Sequence, residues 1–327
     1  MKGIILTNYS EIPELEFISN RDKPEPNKKQ VLIKNAYGSI NPSDLMFLRG
    51  LYGIKKKLPI VPGFEGSGIV EKVGSEISHL KVGDRIACVS SVGDGTWGEY
   101  MVVEEENCIP LLADVSLEAG SSLFVNPMTV WAMVNKALEE GHEGIVQTGG
   151  ASALGKMVVR LCKEKNIPLI SIVRREEQVK SLHEIGAENV LNSSDTRFDR
   201  ELLILSKKLK TTFFLDAVAG EIAGKVLMIL PANATLLSYG ALSEEFIPIN
   251  AGAMIFQNKS VQGFWLTHWI AAIGLKQFHK EALEVQKHLT TIFATNINQI
   301  FPYEKGKEAV ETYKNNMSAG KILIGNR

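Results

Sequence analysis

Cysteine is scarce in this sequence, with Cys88, Cys108 and Cys162 the three present among 327 residues. An odd number of widely spaced cysteines argues against a disulfide framework. The six histidines form no HExxH motif and no CxxC pair occurs, so the sequence offers no obvious tetrahedral ligand set for zinc. We therefore expect a protein that works without a metal.

An excess of one charge is also lacking, because 36 Lys and Arg oppose 37 Asp and Glu. No long basic tract interrupts this balance, which argues against nucleic acid as a partner. The uncharged stretch 226–243 contains proline, asparagine and glycine, so it predicts strand and loop rather than a membrane span. The first residues resemble neither a signal peptide nor an Arg-rich leader, and we expect a cytoplasmic protein.

The length suggests two domains. The two parts of the sequence differ in their pattern of predicted strands and helices. Residues 1–118 carry short β-type runs separated by turn signals, such as NPSD at 41–44, and predict a β-rich, barrel-like domain. From Ser116 onwards, strands alternate with helices, the first helix being predicted over 118–134. This alternation predicts an α/β region with a parallel, doubly wound sheet.

A glycine-rich turn at 148–155 follows an apolar strand and opens an amphipathic helix. Small residues there allow a pyrophosphate to approach the backbone, and the helix N-terminus favours its charge. The match to GxGxxG is imperfect, and an ordinary strand-to-helix turn is the alternative. The turn predicts a dinucleotide site formed by Gly149, Gly150, Ala151, Ser152, Ala153, Leu154 and Gly155.

The next predicted strand ends at Arg174 and Arg175, where an NAD enzyme usually carries an acidic residue. A guanidinium offers a planar pair of donors to phosphate oxygens, so the two arginines favour NADPH through its 2′-phosphate. Glu176 and Glu177 follow and leave NAD as an alternative. Simple solvated charges at the start of a helix would give the same pattern.

The order of these motifs resembles the medium-chain dehydrogenase/reductase superfamily over nearly the whole chain. The resemblance implies a GroES-like barrel domain over 1–118 and 267–327, joined to a Rossmann NADP-binding domain over 119–266. Zinc-dependent members carry a cysteine and a histidine where Asn41 and Phe64 stand here. Neither residue fits a zinc ligand set, so the chain resembles the zinc-free quinone reductases.

Within the zinc-free group, the chain is similar to the trans-2-enoyl thioester reductases in the segments GLYG (50–53), GTW (95–97), NPMT (126–129), SYG (238–240) and GFWL (263–266). The resemblance implies that Tyr52 is the proton donor. The glycine-rich turn at 148–155 departs from the sequence that this family prefers there. Further cofactor contacts are suggested by the resemblance or by the place of a residue in the chain. They are Asn41, Asn126, Thr129, Tyr239, Gly240, Ala241, Leu242, Phe264, Trp265, Leu266 and Lys321.

Without a metal, a carbonyl must be polarised by hydrogen bonds, which suits addition of hydride to a conjugated double bond. We therefore expect an NADPH-dependent reductase of 2-enoyl thioesters, with a quinone or alkenal reductase as the alternative. A protein that keeps the cofactor but has lost turnover is a third possibility. The strand predicted near 260–264 should lie at a sheet edge, which is an aggregation hazard unless something covers it. The family resemblance implies that the same strand of a second subunit pairs with it about a two-fold axis, which predicts a homodimer.

Overall fold

The computed structural model describes residues 1–325, which divide into two compact units. The first unit comprises Met1–Met128 and the chain from Leu275 onwards, and the second comprises Thr129–Gly274. Both boundaries fall later than the predicted ones at 118 and 266. The first lies inside a continuous helix, Val125–Glu139, where a change in composition gives no signal.

The amino-terminal part of the first unit is rich in β-structure. Its strands are β1 (Gly3–Leu6), β2 (Leu15–Ile18), β3 (Gln30–Ser39), β4 (Glu65–Val73), β5 (Arg85–Val89), β6 (Tyr100–Glu104) and β7 (Cys108–Pro110). The helices are α1 (Pro42–Leu48) and α2 (Leu117–Gly120). The NPSD segment, predicted as a turn, instead begins α1, because proline is well tolerated in the first turn of a helix.

The second unit alternates helices with parallel strands. In chain order they are α3 (Val125–Glu139), β8 (Gly144–Gln147), α4 (Ala153–Glu164), β9 (Leu169–Val173), α5 (Glu176–Glu184), β10 (Asn189–Asn192), α6 (Phe198–Lys208), β11 (Thr211–Asp216), α7 (Gly220–Ile229), β12 (Thr235–Ser238), α8 (Ala251–Gln257), β13 (Ser260–Gly263) and α9 (Leu266–Ile273). The strand order is β10-β9-β8-β11-β12-β13. The direction of winding reverses between β8 and β11, where such sheets bind ligands at the carboxyl ends of their strands.

The stretch 226–243 differs from the prediction of strand and loop. Val226–Ile229 forms the last turn of α7, and β12 follows after a short turn. Val226 and Leu227 are buried in the core of the second unit. Packing of this apolar face decides the helical conformation, and the absence of charge in the sequence does not reveal it.

The carboxyl-terminal part returns to the first unit as α10 (Leu275–Lys287), β14 (Ile297–Phe301), α11 (Gly306–Asn315) and β15 (Lys321–Ile324). Strand β15 lies between β14 and β3 and is antiparallel to β3. Its residues pack into a core that includes Trp97 and Tyr303. The long strand β3 therefore has partners from both ends of the chain.

Candidate active site

A buried polar cluster lies where β3, β4 and β15 meet in the first unit, and we call it the Glu65 cluster. Its members are Ser39, Asn41, Glu65 and Lys321, none of them more than 2% exposed. Glu65 Oε1 accepts hydrogen bonds from Ser39 Oγ at 2.8 Å and Asn41 Nδ2 at 2.8 Å, and lies 3.3 Å from Lys321 Nζ. Its other oxygen accepts from the Val125 amide at 2.8 Å. The carboxylate is therefore fully paired despite its burial.

Lys321 takes part in this cluster through two contacts. Its Nζ donates to Asn41 Oδ1 as well as to Glu65. The ammonium therefore supplies the positive charge that balances the buried carboxylate. Both Asn41 and Lys321, predicted as cofactor contacts, have their polar atoms engaged inside the first unit, and their contact with a cofactor stays a prediction.

Asp44, which the sequence did not single out, holds the two positions that correspond to zinc ligands in related enzymes. Its carboxylate accepts the backbone amides of Asn41 at 2.8 Å and Phe64 at 3.0 Å. Burial raises the pKa of Asp44 to about 7, although both amides act to lower it. The asparagine-proline start of α1 is the sequence signal for this arrangement, since a carboxylate three residues on commonly caps such a turn.

Among residues 1–325, no group of three or more His, Cys, Asp and Glu side chains has the arrangement of a metal site. Phe64 occupies one of the two positions compared with zinc enzymes, and its ring is 6% exposed. The three cysteines are free and buried. Burial raises the pKa of each thiol, which disfavours the thiolate that a metal would need. Metal independence stays a prediction.

Tyr52 lies on the segment that follows α1 and is half-buried. Its ring packs on Phe64 with centroids 4.9 Å apart, and Phe64 meets Phe47 edge to face at 5.2 Å. Gly50 turns the chain between α1 and Tyr52 with φ +73°, and a Cβ there would lie 3.1 Å from Tyr9 Cβ. The proposed proton donor therefore rests on an aromatic platform next to the position that Asp44 fixes.

The predicted phosphate turn in the second unit joins β8 to α4. Ser152 caps the helix, its Oγ accepting the Gly155 amide at 3.0 Å, and Ala153 and Leu154 begin the first turn. Gly149 has φ +63°, and a Cβ on Gly155 would lie 2.5 Å from the Gly150 carbonyl. The turn is therefore tight enough to bring backbone amides of a twelve-residue helix to the carboxyl end of β8.

Arg174 and Arg175 follow β9, the neighbour of β8, and both are exposed. Their backbone amides donate to Gln178 Oε1 at 3.1 and 3.2 Å, which fixes the start of α5. Arg175 Nε pairs with Glu177 Oε1 at 2.7 Å. Because the carboxyl ends of parallel strands share one edge, both arginines follow β9 at the same edge of the sheet as the phosphate turn.

The same edge continues across β11, β12 and β13. Asp216 accepts a hydrogen bond from Thr148 Oγ1 at 2.6 Å and therefore ties the ends of β8 and β11 together. The contacts predicted after β12 are Tyr239, Gly240, Ala241 and Leu242, and those after β13 are Phe264, Trp265 and Leu266. Leu242 is 51% exposed.

One further observation supports the fit of a nicotinamide nucleotide to this edge of the sheet. The hydroxyl of Tyr239 is buried and has no hydrogen-bond partner among residues 1–325. Burial also raises the pKa of Tyr239, so the group stays a neutral donor. An unpaired buried hydroxyl is costly, and a ligand with polar atoms would satisfy it.

Asn126 and Thr129 both lie near the beginning of α3 and are 8% and 7% exposed. They are separated by one turn of the helix and fall on either side of the boundary between the two units. Their contact with a cofactor stays a prediction.

Two protein families match this chain, one in each part of the sequence. Residues 27–113 match the family of alcohol dehydrogenase GroES-like domains, and residues 153–284 match the zinc-binding dehydrogenase family. These matches confirm the predicted GroES-like and Rossmann-type folds.

Relatives extend the likeness over most of the chain. The mitochondrial enoyl-acyl-carrier-protein reductase of Caenorhabditis elegans is 32% identical, over 82% of this chain and 78% of its own length. A candidate NADPH:quinone reductase from Mesorhizobium loti is 33% identical with a TM-score of 0.91, covering 100% of this chain and 98% of the other. The complex of Etr1p with NADP and crotonyl-CoA has a TM-score of 0.83 at 23% identity, with 99% of each chain covered, and shows the shared fold.

Both the fold and these relatives define a class of nicotinamide-dependent oxidoreductases. The chain belongs to the medium-chain dehydrogenase/reductase superfamily, in the group that contains enoyl reductases and quinone reductases, as the sequence predicted. No helix within residues 1–325 has the length and apolar character that crossing a membrane requires.

Proposed function

We propose that this protein reduces the carbon–carbon double bond of 2-enoyl thioesters with NADPH. The observation that carries the proposal is the Tyr52 ring, packed on Phe64 at the position where zinc-dependent relatives hold a metal ligand. The enoyl-acyl-carrier-protein reductase relative supports the substrate class. NADPH is favoured over NADH by the exposed pair Arg174 and Arg175, which end the strand beside the phosphate turn.

When bound, the cofactor would supply a hydride for the β-carbon of the substrate. Residues proposed to hold the cofactor are the phosphate turn, the arginine pair and Tyr239, with its unpaired hydroxyl. As negative charge moves onto the thioester oxygen, the hydroxyl of Tyr52 stabilises it or gives its proton to the α-carbon. Solvent then returns the proton to Tyr52. The result is one hydride and one proton added across the double bond.

Replacing Tyr52 by phenylalanine tests this role, because the change removes the hydroxyl and keeps the ring on Phe64. Turnover of crotonyl thioester should fall by ~10²–10⁴-fold, the usual contribution of a general acid. NADPH affinity should persist. The matched control is Tyr100→Phe, which removes a hydroxyl from β6 and should leave turnover unchanged. Wild-type turnover by Tyr52→Phe would refute the proposal.

A quinone is the second candidate substrate, supported by the relative from Mesorhizobium loti that matches the full chain. A quinone takes hydride onto a ring that spreads the charge, so its reduction depends less on one placed proton donor. Assaying the wild type and Tyr52→Phe with both acceptors distinguishes enoyl reduction from quinone reduction. A loss confined to the thioester supports enoyl reduction, and turnover of quinone alone by the wild type supports the alternative. NADPH binding without turnover of either acceptor, or of an alkenal, would support a binding protein.

We also propose that the protein forms a homodimer through β13. This strand is the last in the parallel sheet, and two of its residues are exposed. Helix α9 follows it with an apolar sequence, yet no residue of α9 is buried within the described chain. An exposed edge beside apolar residues is a risk of aggregation unless a second copy covers it. Light scattering that shows a monomer at micromolar concentration would refute the dimer.

A further inference from the structure

Tyr52 lies on a long irregular segment. Helix α1 ends at Leu48, and the chain next joins regular pairing at Ile60, which bridges to Leu6. Between them, exposed residues alternate with half-buried ones. A segment of this length without a ladder of hydrogen bonds opens easily unless side chains hold it.

Lys56, four residues after Tyr52, holds this segment through its main chain. The Lys56 amide donates to the Tyr9 hydroxyl at 2.9 Å, and the same hydroxyl donates to the Lys56 carbonyl at 2.8 Å. Tyr9 is itself held in place because its ring meets Phe47 edge to face at 5.4 Å. One tyrosine therefore satisfies both backbone groups of Lys56.

The side chain of Lys56 forms a second attachment. Its Nζ donates to the Ser90 carbonyl and Ser90 Oγ, both at 3.1 Å, and to the Gly93 carbonyl at 3.0 Å. All three protons of the ammonium are used. Ser90 in turn donates its amide to the Phe64 carbonyl at 2.7 Å, so the attachment leads back to the residue beneath Tyr52.

The Lys56 ammonium also lies against the aromatic platform. Its Nζ is 5.7 Å from the centroid of Phe64 and 6.0 Å from that of Phe47, within the range of a cation–π interaction. Phe64 therefore touches both Tyr52 and Lys56. The same ring is shared by the proposed proton donor and by the anchor of its segment.

We propose that Lys56 is a positioning residue that fixes the Tyr52 hydroxyl by anchoring residues 52–58 to the turn at 90–93. This inference rests on the proposed function, because it assigns Lys56 a part in presenting Tyr52 to the substrate. A displacement of about 1 Å at a reacting group can cost up to about 10²-fold in rate, so loss of the anchor should be visible in turnover.

The anchor should respond to pH. Burial lowers the pKa of Lys56 to about 8, against the opposing carboxylates of Asp44 and Asp94. Arg21 pairs with Asp94 at 2.9 Å, and the Tyr9 hydroxyl faces the Lys56 backbone. As pH rises through about 8, the ammonium loses a proton and the anchor weakens. Turnover of an enoyl thioester should therefore decline with a midpoint near pH 8.

Lys56→Met tests the proposal because it keeps the apolar stem and removes the ammonium. We expect turnover of crotonyl thioester to fall by about 10- to 100-fold, with unchanged NADPH affinity and no decline centred near pH 8. In a Tyr52→Phe background, the same change should cause little further loss, since a hydroxyl that is absent cannot be misplaced. Lys55→Met, at an exposed neighbour, is the matched control. Equal and independent losses in both backgrounds would overturn the positioning role.

A readout without catalysis separates this inference from the proposed function. Lys55 and Lys57 are exposed and remain cleavable by trypsin when Lys56 is replaced. Cleavage within 52–58 should be about tenfold faster in Lys56→Met than in Lys55→Met, because the unanchored segment opens more often. Equal cleavage rates would overturn the anchor. If Tyr52→Phe keeps full turnover while cleavage is accelerated, the anchor stands and the proposed function fails.

Discussion

Two sites, the Glu65 cluster of the first unit and the carboxyl edge of the sheet in the second, treat buried polar groups in opposite ways. In the first, the Glu65 carboxylate has four donors, and Lys321 balances its charge. In the second, the Tyr239 hydroxyl and Gln147 Oε1 are buried at the carboxyl end of the sheet without partners among residues 1–325. The first arrangement is complete by itself, whereas the second contains polar groups that a ligand would complete. The first site therefore keeps its geometry without a ligand, whereas the second retains hydrogen-bonding capacity for the cofactor that we propose.

The largest expected effect comes from removing the cation of the Glu65 cluster, the site whose polar groups are fully paired. Lys321→Met leaves the Glu65 carboxylate buried without its cation, which should lower the free energy of unfolding by about 3–5 kcal/mol. Denaturant titration measures it. Lys2→Met breaks the exposed pair with Glu304 and should change little. Combining Lys321→Met with Glu65→Gln should recover part of the loss. A Lys321→Met midpoint equal to the wild type would contradict the comparison.

The next effect concerns the exposed cations of the second unit. Replacing Arg174 and Arg175 together by alanine should weaken NADPH binding by about 3 kcal/mol, the size of one or two charge-assisted hydrogen bonds. NADH binding should hardly change, since it lacks the 2′-phosphate. Fluorescence titration of both cofactors measures this difference. Arg200→Ala, on an exposed face of α6, is the control, and equal losses for both cofactors would refute the role in cofactor choice.

A smaller effect compares two buried tyrosines directly. Tyr239→Phe removes an unpaired hydroxyl and should stabilise the free protein by about 2 kcal/mol while weakening cofactor binding. Tyr303→Phe in the first unit removes a hydroxyl that donates to the Gly98 carbonyl at 3.2 Å, and it should destabilise by about 1 kcal/mol. Thermal unfolding with and without NADPH measures both. The same sign for both variants would show that the units do not differ in this way.

The smallest effect tests backbone strain in the second unit. Ala219, at the start of α7, has φ 63° and ψ −156°, a region that is almost confined to glycine. Its amide is held by Asp216 Oδ2 at 2.9 Å. Ala219→Gly should therefore stabilise the protein by about 1 kcal/mol after the entropy cost of glycine is included. Asn258→Gly, at a left-handed position that asparagine tolerates, should gain less, and a destabilised Ala219→Gly would show that the strain is absent.

Local motifs were the predictable part of the molecule. The phosphate turn is visible in the sequence because its glycines, its capping serine and the following helix are adjacent along the chain. The alternation of strands and helices likewise predicted a parallel sheet. The helix predicted over 118–134 was wrong in detail, since α2 ends at Gly120 and α3 begins at Val125. Its apolar residues continue through the break and conceal it.

The missed residues act over long separations in the chain. Asp44 accepts the amide of Phe64, twenty positions later, and Lys56 reaches Ser90, thirty-four positions later. The asparagine-proline start of α1 indicates that Asp44 caps its own helix, but nothing in the sequence indicates that it also binds the Phe64 amide or that Lys56 reaches Ser90. The fold brings these segments together. Their contacts therefore become visible with the fold, whereas the role of Tyr52 stays a prediction from its flanking glycines and from family resemblance.

The return of the chain to its first unit has a consequence for synthesis. Asn41 and Lys321 are separated by 280 positions, yet their side chains form a direct hydrogen bond. During translation the whole second unit emerges before Lys321, so it can fold as a local body. Until β15 arrives, β3 lacks one neighbour and Glu65 lacks its cation. A ribosome that stops early would therefore release a chain with a folded nucleotide-binding sheet and an unfinished partner.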